Sequence, residues 1–109
     1  MYHVMPVNVD ETLSALADQT RREIIARLAG GPQPAGRLAL GLPMSRPAVS
    51  KHLKVLREAG LVESTKTGRQ QLYRLAPGGI DQLHAALEEI GRFWSTALDE
   101  FKQFAESEP

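Results

Sequence analysis

The chain of 109 residues contains no cysteine. That absence excludes a disulfide framework, thiolate metal sites and cysteine catalysis together. No apolar run approaches the roughly 18 residues that a membrane-spanning helix needs. The opening MYHVMPV is too short and too weakly charged for a signal peptide, so a cytoplasmic protein is expected. Nor is there a phosphate-binding glycine loop, since Gly30 with Gly31 and Gly78 with Gly79 read as helix stops. No catalytic constellation stands out. Ser50 and His52 lie two apart on a helical stretch, point in different directions and lack an acidic orienter, so no enzyme is expected. Aromatic residues make up only 6% of the chain. The apolar content of 42% nevertheless suits one modest core, so residues 1–109 are expected to form a single domain.

Net charge is also absent, with thirteen basic and thirteen acidic side chains, but the balance conceals a division. Residues 45–74 carry seven Lys/Arg against Glu58 and Glu63, a local charge of +5. Residues 80–109 carry Arg92 and Lys102 against seven acids, a local charge of −5. The middle of the chain suits a polyanion and the tail repels one.

The basic middle is also the best-patterned part. Residues 45–62 read SRPAVSKHLKVLREAGLV. Ser45 is a helix-capping hydroxyl, Arg46 and Pro47 open the first turn, and Gly60 stops the helix. At about 100° per residue, Val49, Leu53 and Leu56 share one narrow sector, and Pro47, Ser50, Lys51, Lys54 and Glu58 lie opposite. One face packs while the other projects small polar and cationic groups, the division that a helix entering the major groove of DNA requires. Upstream, Thr12 to Ala17 end a first helix, and a second begins at a Thr20/Glu23 capping box or at its rival cap Asp18. That second helix buries Ile24, Ile25 and Leu28 and stops at Gly30, Gly31 and Pro32. A short helix over residues 34–42 follows, weakened by Gly36 and Gly41, and residues 42–45 turn into the helix capped by Ser45.

Beyond Gly60 the period changes to two. Residues 61–65 read as a strand, 66–69 as a hairpin tip bearing Lys66 and Arg69, and 71–75 as its return. Such a hairpin is marginal alone, so Val62, Leu72 and Leu75 are expected to lean on the helices. Pro77, Gly78 and Gly79 break the chain. Ile80, Leu83, Leu87, Ile90, Trp94, Leu98 and Phe101 then recur at helical spacing. A helix over 80–106 would be roughly 40 Å long, more than so small a domain can cover. Its stripe is expected to be the core of a homodimer, an explanation favoured over a ligand pocket around Phe93, Trp94, Phe101 and Phe104. The expected fold is therefore mainly α with a small β-hairpin: an α+β winged helix-turn-helix ordered α-α-α-α-β-β-α, whose fourth helix is the recognition helix.

The segments ALADQTRREIIARL, LPMSRPAVSKHLKVLREAGLV and GRQQLYRL resemble the ArsR/SmtB-type bacterial transcriptional repressors, closely over residues 13–75 and loosely over the last helix. The resemblance implies a homodimer, packed through terminal helices, that sets two recognition helices in successive major grooves of a double-stranded operator until an inducer releases it. Neither the inducer nor the operator is implied. Carried onto this chain, Ser45, Arg46, Pro47, Ser50, Lys51 and His52 fall in the recognition helix, and residues 66–71, including Lys66, Arg69, Gln70 and Gln71, fall in the wing.

Lys54, Lys66 and Arg69 are expected on phosphates, and Arg46, Ser50, Lys51 and His52 at base edges. His52 lies on the flank of the helix, where it either packs locally or donates to a phosphate. The family's thiolate pair is missing. Of its carboxylate and histidine ligands only Asp81 and His84 are present, and His84 pairs more naturally with Asp81 or Glu88. Pro34 stands where the short helix should have a capping hydroxyl. The expectation is thus a metal-free branch of the family with no cofactor. Its rivals are a regulator that senses metal through non-thiolate ligands, and a winged helix used for protein contact.

Overall fold

The computed structural model describes residues 9–107, and the opening stretch with His3 lies outside them. Helix α1 spans Val9–Leu16, α2 Gln19–Leu28, α3 Ala35–Leu38, α4 Arg46–Glu58 and α5 Pro77–Ser107. The strands are β1 Gln33–Pro34, β2 Val62–Thr67 and β3 Gln70–Leu75.

Of the two rival caps for α2, Asp18 prevails. Its carboxylate accepts from the backbone N–H of Arg21 at 3.0 Å, while Thr20 lies inside the helix and Glu23 turns to Arg27 at 3.1 Å. An ionised cap makes the stronger bond, and capping at Asp18 starts the helix two residues earlier than Thr20 would. The same N–H holds the Asp18 carboxyl below its usual range, and the Arg21 charge acts in the same direction against partial desolvation.

The short helix is shorter than its sequence suggests. Pro34 offers no side-chain cap to α3, which ends at Leu38. Gly41, at φ +79°, turns the chain toward α4. Arg27 covers the open carbonyls, donating from Nη1 to Leu38 O at 2.9 Å.

Helix α4 is bounded as its sequence indicates. Ser45 Oγ accepts from Ala48 N at 3.3 Å. At the other end, Gly60 (φ +80°) donates to Arg57 O and Leu61 to Leu56 O, both at 3.0 Å, the paired bonds of a Schellman stop. Val49, Leu53 and Leu56 are buried with Ile24, Leu28, Leu38, Leu61 and Val62 in one core.

The hairpin is part of a three-stranded antiparallel sheet in the order β1-β3-β2. Strand β1 leaves no mark in the sequence, because two residues, one of them proline, show no period. Gln33 pairs with Tyr73 and Pro34 with Leu72, and a proline is tolerated on this edge. The strands also reach further than the sequence pattern indicates. Thr67 pairs with Gln70, which leaves Gly68 (φ +62°) and Arg69 as a two-residue turn of the kind that needs glycine first. Lys66 therefore sits in β2 and not at the tip. On the core face, Val62 and Leu75 pair as expected, but the third contact is Tyr73. Leu72 alternates to the opposite face, because successive strand residues must.

Pro77, Gly78 and Gly79 do not interrupt the chain but form the first turn of α5, where a proline needs no N–H partner. Ile80 and Leu83 pack on the core. Further along, Leu87, Phe93, Trp94, Leu98, Phe101 and Phe104 are exposed on a 31-residue helix roughly 46 Å long.

Candidate nucleic-acid interface

Helix α4 presents Ser45, Arg46, Pro47, Ser50, Lys51 and Lys54 to solvent, and the wing presents Lys66, Arg69, Gln70 and Gln71. The tertiary fold joins these two sets. A concavity of about 360 Å³ lies between the start of α3, the start of α4 and the wing turn, with Arg37, Arg46 and Arg69 on its walls beside Gln70 and Gln71. The Arg46 guanidinium lies directly over Gly36, where any β-carbon would collide with it. Sequence reasoning misses Arg37. It sits on the weakly signalled α3, and only the packing of α3 against α4 and β3 brings its charge to the site.

The cations fall into two sets. Arg74 is tied to Glu63 at 2.8 Å, its cross-strand neighbour, and to Thr65 at 3.1 Å. Arg57 donates to Ser64 at 3.3 Å, and Gln71 donates to the same hydroxyl at 3.0 Å. Lys54 pairs with Glu58 at 3.4 Å across an exposed helix turn, an attraction weak enough for a phosphate to replace. Among the described residues Arg37, Arg46, Lys51, Lys66 and Arg69 make no ion pair. Three of these cations, Arg37, Arg46 and Arg69, converge from α3, α4 and the wing on the concavity and make it positive although the molecule is neutral.

His52 stands apart from its neighbours on α4. It is half-buried, and its Nδ1 lies 3.2 Å from Nη1 of Arg21 on α2. Of the two roles open to it, local packing accounts for one ring nitrogen. Ser50 remains exposed with no acid or base beside it.

Helix α5 carries the long apolar stripe. Leu83 and Ile90 are half-buried, whereas Leu87, Trp94, Leu98 and Phe101 are 46%, 55%, 59% and 67% exposed in the single chain. Phe93 and Trp94 meet edge to face with centroids 5.5 Å apart. They wall a concavity of about 470 Å³ with Ala85, Ala86 and Ile90. His84 Nδ1 approaches Glu88 at 3.7 Å, so Glu88, and not Asp81, is its partner. Among the described residues no group of three or more His, Cys, Asp or Glu side chains could hold a metal ion, and no helix is long and apolar enough to cross a membrane.

Residues 16–65 match the helix-turn-helix domain family. The HTH-type transcriptional regulator Rv2034 of Mycobacterium tuberculosis is 48% identical over 99 residues, covering 91% of this chain and 90% of that protein. Among solved structures, the ArsR-like transcriptional regulator from Rhodococcus sp. RHA1 superposes with a TM-score of 0.72 at 42% identity, over 92% of this chain and 94% of its own. A homodimeric winged helix-turn-helix DNA-binding domain of Mb0332 from Mycobacterium bovis, a possible ArsR-family regulator, gives a TM-score of 0.64 at 30% identity, over 77% and 78% of the two chains. With the capped recognition helix, the wing and the cationic face in place, these similarities lead to one conclusion: the chain belongs to the ArsR/SmtB-type winged helix-turn-helix transcriptional regulators, a family of DNA-binding proteins and not of enzymes.

Proposed function

We propose that this protein is a homodimeric, metal-independent repressor that acts in the cytoplasm on a double-stranded operator. Residues 1–109 work as one winged-helix domain, and residues 80–106 form the dimerisation helix. Leu83, Leu87, Ile90, Trp94, Leu98 and Phe101 meet their counterparts in the second copy, because a stripe this apolar and this exposed is suited to an interface. Each protomer then lays α4 in a major groove. Arg46, Ser50, Lys51 and His52 face base edges, with Ser45 and Pro47 at the helix entry. Lys54, Lys66 and Arg69 meet phosphates with Gln70 and Gln71 alongside, and Arg37 joins them across the concavity.

The observation that carries this reading is the uncompensated cationic surface formed by three elements distant in sequence. A protein-contact helix would instead place apolar anchors there. Selection of bound fragments from random and genomic DNA tests it. Enriched fragments should share two inverted half-sites about one helical turn, or a whole number of turns, apart. Failure to enrich any sequence over non-specific binding would reject it.

A further inference from the structure

The Arg21 guanidinium joins three parts of the fold. Its Nε donates to Ala15 O at 2.6 Å and its Nη2 to Ser14 O at 3.4 Å, both at the end of α1. Its Nη1 lies 4.0 Å from the Asp18 carboxylate and 3.2 Å from Nδ1 of His52 on α4. The Arg21 side chain is only 18% exposed, so water competes weakly for these bonds. A guanidinium has five N–H donors, no acceptor, and does not deprotonate. The nitrogen facing it must therefore accept, which requires a neutral imidazole with its proton on Nε2. Among the described residues no side chain or carbonyl takes up that second nitrogen.

We propose that Arg21 is a positioning residue for DNA recognition: by donating to Nδ1 it holds His52 as the Nε2–H tautomer and offers that N–H, as a hydrogen-bond donor, to the DNA beside Lys51. The proposal rests on the reading of α4 as the DNA-facing helix. Arg21 itself touches no DNA. Its effect passes through the ring, as an outer partner fixes the tautomer of a ligating histidine.

The neighbouring Arg22 supplies the control. It also staples α1, donating from Nη1 to Leu16 O at 2.8 Å, but has no bond to His52. Protein labelled with ¹⁵N-histidine, observed at neutral pH through two-bond ¹H–¹⁵N couplings, should show His52 as the Nε2–H tautomer in the parent and in Arg22→Met. Arg21→Met should give a mixture. The ratio of affinities for selected operator and random DNA should fall about tenfold in Arg21→Met, stay unchanged in Arg22→Met, and largely recover in Arg21→Lys, whose ammonium is also donor-only.

His52→Asn keeps an acceptor toward Arg21 but loses the distal N–H. It should match the loss in Arg21→Met, and the double variant should lose no more. Should Arg21→Met fail to fold, His52→Asn carries the comparison. An unchanged tautomer in Arg21→Met, or an unchanged operator ratio in Arg21→Met and His52→Asn while Lys51→Ala loses affinity, would overturn the role of Arg21 alone. If Lys51→Ala and Arg69→Ala also bind as the parent does, the DNA-facing reading of α4 falls and this proposal falls with it.

Discussion

Gly79, in the first turn of α5, lies so close to the carbonyl oxygen of Gly60 that a β-carbon has no room there. Gly60 ends α4 and Gly79 lies in the first turn of α5, so this backbone contact brings the end of one helix directly against the start of the other. Gly79→Ala should cost about 1–3 kcal/mol through overpacking. At Gly78 a β-carbon would enter open space, with nothing within 4 Å, and Gly78→Ala should stabilise by up to about 1 kcal/mol. Urea unfolding of the two variants checks this, and equal effects would contradict the contact.

Asp18 makes stability depend on pH. Its carboxyl lies below the ordinary value of 3.8, chiefly because it accepts from the backbone N–H of Arg21. A lowered value in the folded state means that the cap's contribution is complete above the unfolded value and disappears as pH falls through the folded one. Asn caps as well as Asp without titrating. Melting curves of the parent should therefore fall more steeply than those of Asp18→Asn in the acid range, and parallel curves would argue against the cap.

Base contacts and phosphate contacts separate by competitor. Lys51→Ala and Ser50→Ala should each weaken operator binding by about 1–3 kcal/mol wherever a base contact is lost, with a smaller loss on random DNA. Equal losses on both DNAs would move the residue to the phosphate class.

The wing and the concavity should answer to salt. Removing Arg69 or Arg37 should lower the slope of log affinity against log salt by roughly one unit per lost phosphate contact, or two per dimer if both protomers engage. Neither side chain supports the core, so unfolding should not change. An unaltered slope for Arg69→Ala would leave the hairpin as a brace, and one for Arg37→Ala would remove α3 from the interface.

Dimerisation is tested on the outward part of α5. Trp94→Glu places a charge in the middle of the exposed stripe and should weaken the dimer by about 2 kcal/mol or more, as loss of a buried aromatic anchor does. Sedimentation at micromolar concentration should find the parent dimeric and the variant shifted to monomer. A monomeric parent would disprove the interface.

Local signals account for what can be read without coordinates. Ser45, Pro47 and Gly60 mark the ends of α4, and the sector of Val49, Leu53 and Leu56 marks its buried face, because caps and periodicity act within a few residues. The same holds for the β2–β3 hairpin and for the long stripe of α5. Where two local signals compete, as Asp18 does with the Thr20/Glu23 box, the sequence offers both and the structure shows which side chain accepts the free N–H.

The order of residues alone thus specifies most element types, the recognition helix with its outward cations, and an apolar helix too long for one small domain. The third strand comes only from folding, since Gln33 and Pro34 become a strand through β3. Folding likewise brings Arg37 and Arg46 to one concavity with Arg69, and turns one nitrogen of His52 to Arg21. The difference is one of range. Capping and side-chain periodicity are written within a turn or two of backbone, whereas edge pairing, charge convergence and the contact between Arg21 and His52 are fixed by partners tens of residues away.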